Sequence, residues 1–378
     1  MVLDDICVLI ADCPHSTAPD EGSGYPLIRT PNIGKARFLL DGVHRVSKQV
    51  YEQRNKRATP QDNDIIFARE APAGNAAIIK NGDKYCLGQR TVLIRPDPQK
   101  VNPDYLAYYL LAPEQQHKLL STAHGATVSH VNIPDIHNMN VDNLPSIENQ
   151  KQIANTLIAY DDLIENNQKL IKLLEEAAQR LYKEWFIDLR FPGHESTPIH
   201  DGIPEGWERK TVGELIGKVH RTNQIMTSDY LDDGDIPVID QSRDFIAGYT
   251  NDSDSLVDLG TPVIVFGDHT RILKYITFPF AKGADGTQLI ISADVHMPQS
   301  LLYCSLINVD LSNYHYARHF KYLKAEEILV PALDIAQSFE KFAAPVFEQI
   351  QCLRDENTQA AHARDRLLPK LMSGEIEV

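Results

Sequence analysis

The sequence predicts an α+β protein: two mixed, mainly β domains, each followed by one long helix, with the two helices paired through apolar seams. Three observations predict it. First, the stretch from Ser146 to Phe186 holds neither Gly nor Pro. In it Ile153, Leu157, Tyr160, Ile164, Asn167, Ile171, Leu174, Ala178, Leu181 and Trp185 recur by alternating fours and threes. That 3.5-residue period is a coiled-coil seam, interrupted only by Asn167. Second, shifting the numbering by 186 reproduces the pattern as Phe339, Ala343, Val346, Ile350, Leu353, Asn357, Ala360, Arg364, Leu367 and Leu371, so that Asn167 and Asn357 lie near the middle of their helices, where they either meet and fix the register or each face solvent or a partner subunit. Third, short apolar runs bounded by turn residues precede each helix, the signature of strands.

In chain order, residues 1–143 form the first β-rich domain. Tyr25-Pro-Leu-Ile-Arg29, Asp64-Ile-Ile-Phe67, Ala76-Ala-Ile-Ile79 and Thr91-Val-Leu-Ile-Arg95 are its strands, and Pro72-Ala-Gly-Asn75 and Asn81-Gly-Asp83 are turns. Helical spacing of Tyr105, Tyr108, Leu111 and Leu119 predicts a helix over Asp104–Leu120. Residues 144–190 are the first long helix, with Pro145 at its start and Ser146 as N-cap. About 40 residues at 1.5 Å each make a rod of roughly 60 Å. The Pro- and Gly-rich segment 191–206 is a linker, and residues 207–329 replay the first domain. Thr211-Val-Gly-Glu-Leu215 answers Val2-Leu-Asp-Asp-Ile6, Ile236-Pro-Val-Ile239 answers Tyr25-Pro-Leu-Ile28, and Val265-Phe266 answers Ile66-Phe67. Residues 330–378 are the second long helix, in which Pro345 is expected to kink the helix or to mark where its regular part begins. The duplicated frame with divergent loops fits one scaffold reading two targets.

The formal net charge is −15. It is concentrated in residues 193–330, where 20 acidic residues face 11 basic ones, whereas residues 1–145 hold 16 and 15. Composition therefore counts against nucleic-acid binding, although a basic face can coexist with an acidic back. Cys7, Cys13, Cys86, Cys304 and Cys352 show no C-x-x-C spacing, and Cys7, Cys13 and His15 read as ordinary reduced residues and not as metal ligands. No apolar run is long enough to span a bilayer, and the N-terminal stretch lacks a signal-peptide pattern. A cytoplasmic location without membrane contact is expected.

No phosphate-binding loop and no methyltransferase motif occur. Asp268 and His269 are adjacent, and on a strand their side chains point opposite ways, which weakens a catalytic dyad. Ala284-Asp285-Gly286 reads first as a hairpin turn between Phe278-Pro-Phe280 and Gln288-Leu-Ile-Ile291, and second as a ligand contact. The polar loops offer side chains suited to base edges: Arg and Lys for guanine, Asn and Gln for adenine. They are Arg29, Asn32, Lys35, Arg69, Asn75, Thr127 and His130 in the first domain. In the second they are Gln241, Arg243, His269, Arg271, Lys274, Lys282 and Thr287. The plain alternative for each is a solvated surface loop.

Leu144-Pro-Ser-Ile-Glu-Asn-Gln150 resembles the L-P-P-L-x-E-Q opening of the shared helices in specificity subunits of type I restriction-modification enzymes. Leu181-Tyr-Lys-Glu-Trp-Phe186, Gly202-Ile-Pro-Glu-Gly-Trp207 and Leu367-Leu-Pro-Lys-Leu-Met-Ser-Gly-Glu-Ile-Glu-Val378 resemble that family's common segments. Gly267-Asp-His-Thr270 through Gly283-Ala-Asp-Gly-Thr287 resembles one class of target-recognition domain, which adds Thr270 to the DNA-contacting candidates. Val330-Pro331 departs, being followed by Ala-Leu-Asp-Ile-Ala. The resemblance implies two target-recognition domains separated by an antiparallel coiled coil, each reading half of a split site in double-stranded DNA. It implies a non-catalytic subunit with no cofactor of its own. Its partners would be two methyltransferase subunits, which use S-adenosylmethionine to methylate adenine, and restriction/motor subunits that cleave unmodified DNA. Two other readings stay open: a coiled-coil scaffold without DNA specificity, and a nuclease with an unrecognised site. Salt-dependent duplex binding separates the family reading from the first, and metal-dependent cleavage by the chain alone would mark the second.

Overall fold

A computed structural model of the chain describes residues 1–121, 130–220, 222–314 and 318–378. They form two compact units, Met1–Ile164 with Thr358–Val378, and Glu165–Asn357.

In the first unit a 3-10 turn, Leu3–Ile6, leads into β1 (Cys7–Asp12), β2 (Tyr25–Ile28), β3 (Lys35–Ala36), β4 (Arg45–Val46) and α1 (Lys48–Arg54). There follow β5 (Ile65–Ala68), β6 (Ala76–Ile78), β7 (Cys86–Leu87) and β8 (Thr91–Pro96). One sheet has the order β1-β8-β5-β6-β3 and a second the order β4-β2-β7. Every residue of β5 is buried, which explains why that run reads as continuous and not alternating hydrophobicity. The predicted helix over Asp104–Leu120 is two helices, α2 (Pro103–Leu111) and α3 (Pro113–Ser121). Pro113 forces Ala112 out of the helical region to ψ 138°, and the chain breaks there. A short α4 (Ile133–His137) precedes α5 (Ile147–Tyr182). Ser146 caps α5, its Oγ accepting the Asn149 N–H at 3.2 Å. Gln150 is buried and ties the helix start to α2, its Oε1 accepting the Asn102 N–H at 2.7 Å.

The second unit repeats the plan. A two-stranded hairpin, β9 (Ile199–His200) and β10 (Ile203–Pro204), lies in the linker. It is followed by β11 (Glu208–Thr211), α6 (Val212–Leu215), β12 (Gln224–Ile225), β13 (Ile236–Ile239), β14 (Gly248–Thr250) and β15 (Leu256–Val257). Then come β16 (Val263–Gly267), β17 (Leu273–Ile276), β18 (Phe280–Gly283), β19 (Thr287–Ile290), α7 (Gln299–Ile307), α8 (His319–Ala325), β20 (Glu327–Val330) and α9 (Leu333–Ser373). The duplication holds at the level of register. Ile28 pairs with Leu87 in parallel as Ile239 does with Lys282, and Ala68 faces Thr91 as Gly267 faces Thr287. The opening turns match too: Asp5 accepts the Val2 N–H and Glu214 the Thr211 N–H, each at 2.8 Å.

The two long helices pair antiparallel within each unit. In the first, Ile153, Ala154 and Leu157 share a core with Leu368 and Leu371, and Asp161 accepts from Arg364. In the second, Asn167 bonds Glu356 at 2.7 Å, Glu175 pairs with Arg354 at 2.9 Å, and Ala178 and Tyr182 share a core with Phe339 and Ala343. Every seam residue read from the sequence is buried or half-buried. Two details differ from expectation, and a third is narrowed. α9 runs from twelve residues before Pro345 through it, so of the two readings of Pro345 the one in which it marks the start of the helix falls away. Asn167 donates to Glu356, while Asn357 Oδ1 is buried with no hydrogen-bond partner among the described residues, so the two asparagines are not a bonded pair. Ala284-Asp285-Gly286 is not a hairpin turn: β18 pairs with β12, β13 and β15, whereas β19 pairs with β16. Left-handed Asp285 (φ 42°) and Gly286 (φ 77°) swing the chain from one sheet to the other.

Candidate nucleic-acid interface

In each unit, three loops converge at one end of the strand frame: the one after β2 or β13, the one after β5 or β16, and the one before β8 or β19. Matched backbone bonds hold them. The Arg69 N–H donates to the Arg90 carbonyl at 3.0 Å, and the Asp268 N–H to the Gly286 carbonyl at 2.7 Å. The Val131 N–H reaches the Arg69 carbonyl, and the His319 N–H the Asp268 carbonyl, both at 3.0 Å.

The first unit gathers guanidinium groups at this end. Arg69 Nη1 pairs with Asp12 at 3.1 Å, and the Arg29 side chain lies against Gly88, where an added Cβ would stand 3.0 Å from Arg29 Cγ. The Nε atoms of Arg29 and Arg69 are both buried with no hydrogen-bond partner among the described residues. His130 forms a β-bridge with Glu70 beside them. The other candidates are placed differently. Asn32 is buried and turned inward, accepting the Arg29 N–H and donating to the Leu39 carbonyl, both at 3.1 Å. Asn75 donates to the Ile33 carbonyl at 2.8 Å, and Lys35 pairs with Asp365 on α9 at 3.0 Å. Thr127 lies outside the described residues.

In the second unit Gln241 is the hub. Its Nε2 donates to the Asp285 carbonyl at 2.8 Å, its Oε1 accepts the His269 N–H at 3.1 Å, and its carbonyl accepts from Thr270 Oγ1 at 2.8 Å. The packing leaves no room for a side chain at Gly286, where an added Cβ would stand 2.8 Å from both Gln241 Nε2 and His269 Cδ2. His269, Thr270 and Arg271 are exposed along the edge, with Arg271 Nη1 bonded to the Leu311 carbonyl at 3.1 Å. Arg243 is exposed and makes no hydrogen bond or ion pair among the described residues. Lys282 is half-buried on β18, and Thr287 is buried with its Oγ1 unpartnered among the described residues.

Lys274 and Asp268 are structural. Lys274 is 5% exposed, donates to the Asp244 carbonyl and sits 3.9 Å from Asp240, so it holds the loop that carries Arg243. Burial pushes its ammonium below the ordinary lysine range. Asp268 is buried and spends its carboxylate on the Phe320 N–H at the start of α8, at 2.7 Å, while His269 is exposed; the two form no catalytic dyad.

Arg90 escapes a reading based on loop composition because it stands alone in a four-residue turn, Gly88-Gln-Arg-Thr91. The signal is register: Gly88 and Thr91 align with Gly283 and Thr287. Arg90 then falls opposite Gly286, and both have left-handed backbones, φ 67° and 77°.

Among the described residues, no helix is long and apolar enough to cross a membrane, and no three His, Cys, Asp or Glu residues group to hold a metal.

Residues 1–176 match the type I restriction modification DNA specificity domain. The chain is 26% identical to the type I restriction enzyme MjaIX specificity subunit of Methanocaldococcus jannaschii, over 94% of this chain and 88% of that one. It is 21% identical to the type I restriction enzyme HindI specificity subunit of Haemophilus influenzae, over 94% and 95%. The crystal structure of the type I restriction-modification system S subunit from M. genitalium superposes with a TM-score of 0.58, covering 98% of this chain and 95% of that one at 15% identity, a likeness of fold. A DNA specificity domain at the start of the chain, relatives of one kind along its length and a shared fold agree with the duplicated strand frame and paired helices: residues 1–176 carry the type I DNA specificity domain, and the chain as a whole is similar to the specificity subunits of type I restriction-modification systems.

Proposed function

We propose that this subunit reads a split site in double-stranded DNA, one half-site with each unit, and docks two methyltransferase subunits and, where present, restriction/motor subunits. One observation carries the reading. The same strand frame presents different side chains at matched positions: Arg29 opposite Asp240, Arg69 opposite Asp268, and Arg90 opposite Gly286. Two copies of one scaffold with unlike loops suit two unlike half-sites. The subunit is non-catalytic; methyl transfer from S-adenosylmethionine to adenine belongs to the partner. The candidate contacts are Arg29, Arg69 and His130 in one unit and Gln241, Arg243, His269, Thr270 and Arg271 in the other. Lys274, Asn32 and Asn75 support the loops. The cytoplasm, where the genome lies, is the compartment this work requires.

The test is to map methylated adenines in DNA from cells producing the chain with its partner subunits. A two-part motif with a fixed gap is the expected result, and unpatterned methylation overturns the reading. The net charge of −15 favours one competing reading, a coiled-coil scaffold that does not touch DNA. Affinity of the assembled complex for duplex DNA that falls steeply with salt rejects the scaffold, because each neutralised phosphate releases counterions.

A further inference from the structure

We propose that Arg90 is a specificity-determining residue of the first unit, reading a base edge in the half-site bound there. The assignment rests on the split-site reading above. Its starting point is a backbone that asks for glycine. Arg90 has φ 67°, a conformation in which the Cβ of an L-residue is crowded. The register-matched residue of the second unit is Gly286, with φ 77° and the same carbonyl bond to the residue after the central strand. One frame thus solves this turn with the residue that fits and, in its other copy, with one of the largest side chains. A left-handed non-glycine residue held in place by its surroundings points to use of the side chain.

The side chain is placed for such use. It is 49% exposed, whereas neighbouring Arg69 is 15% exposed and committed to Asp12. Glu70 Oε2 stands 3.2 Å from Arg90 Nε, which fixes the long side chain at its near edge. Its Nη donors make no hydrogen bond among the described residues. A guanidinium steadied at Nε and open at Nη presents the fork that matches O6 and N7 of guanine in the major groove. Arg29 and Arg69 flank it with further positive charge, which favours approach of the duplex.

Arg90→Gly is a discriminating variant, because it deletes the guanidinium while installing the residue the backbone prefers. The chain carrying it, produced with its partner subunits, is used to map methylated adenines in host DNA, and the purified chain is followed by thermal unfolding. The variant should unfold at the same or a higher temperature than the wild type. Methylation should relax at one base pair of one half-site, with discrimination there falling about 5- to 150-fold, the equivalent of about 1–3 kcal/mol for one bidentate contact. An unchanged motif, or an equal loss across all sequences, overturns the assignment while leaving the split-site reading intact. A wild-type chain that directs no methylation at a split site overturns both.

Discussion

Asp161 on α5 accepts hydrogen bonds from Arg364 on α9 and from the Tyr108 hydroxyl on α2. The carboxylate is 3% exposed and the guanidinium 12%. Burial, with the Asp161 charge alongside, drives the Tyr108 hydroxyl far up from its ordinary value, so it stays a donor. Arg364 is therefore a charged member of the α9 seam because a buried acid on the facing helix requires it. Arg364→Met alone should destabilise the chain by about 3–5 kcal/mol, because it leaves a buried carboxylate without its counter-charge. Adding Asp161→Leu should recover most of that loss. Urea unfolding of the two variants measures it.

Gly286→Ala should damage the second reading face without reaching the first. A Cβ there meets Gln241 and His269 at 2.8 Å on a left-handed backbone, which alone costs about 1–2 kcal/mol. The expected result is loss of selectivity in one half-site, read from the methylation motif, with the other half-site unchanged.

Arg243→Ala separates contact from support. The side chain is exposed and unbonded among the described residues, so stability should change by no more than about 0.5 kcal/mol. Affinity for cognate duplex should fall by about 1–3 kcal/mol where Arg243 bonds a base bidentately. Titration of the assembled complex with cognate and scrambled DNA measures both effects, and equal losses on the two would mark a phosphate contact.

Glu340 on α9 accepts from Ser300 and is raised above the ordinary carboxylate value of 4.5 by burial. Below that value the carboxyl is protonated folded or unfolded and carries no penalty. As pH rises through the folded value, the ionised form is disfavoured only in the folded state, and stability falls. Glu340→Gln, neutral throughout, should raise the thermal midpoint at pH 7.5 and lose that advantage at pH 4. A gain of equal size at both pH values would assign it to packing.

The seams, the duplication and most strands were legible because each rests on a short repeat that burial enforces: Ile153 to Leu157 on a helix, Ile65 to Phe67 in a strand. What was not legible depends on partners far away in the chain. Lys274 reads as a loop cation, yet it pairs with β16 at the register position that Ala77 holds in the first unit, inside the sheet. Asn32 and Asn75 read as adenine readers, but each spends a side-chain N–H on a backbone carbonyl brought in by folding. Arg90 was hidden for the opposite reason: its meaning lies in a backbone angle and in the identity of its counterpart, neither visible in local composition. The break at Pro113 was present in the sequence and was overridden by apolar spacing on either side of it.

The division of α9 between the units sets an order of events during synthesis. The second unit, Glu165–Asn357, is interposed within the first, whose remaining segment is Thr358–Val378. A ribosome therefore delivers every residue of the second unit before Leu368 and Leu371, which seal the core around Leu157 in the first. The segment made before the second unit is closed only after it. Until then Ile153 and Leu157 lack their cover, and the nascent first unit is the one exposed to premature association or proteolysis.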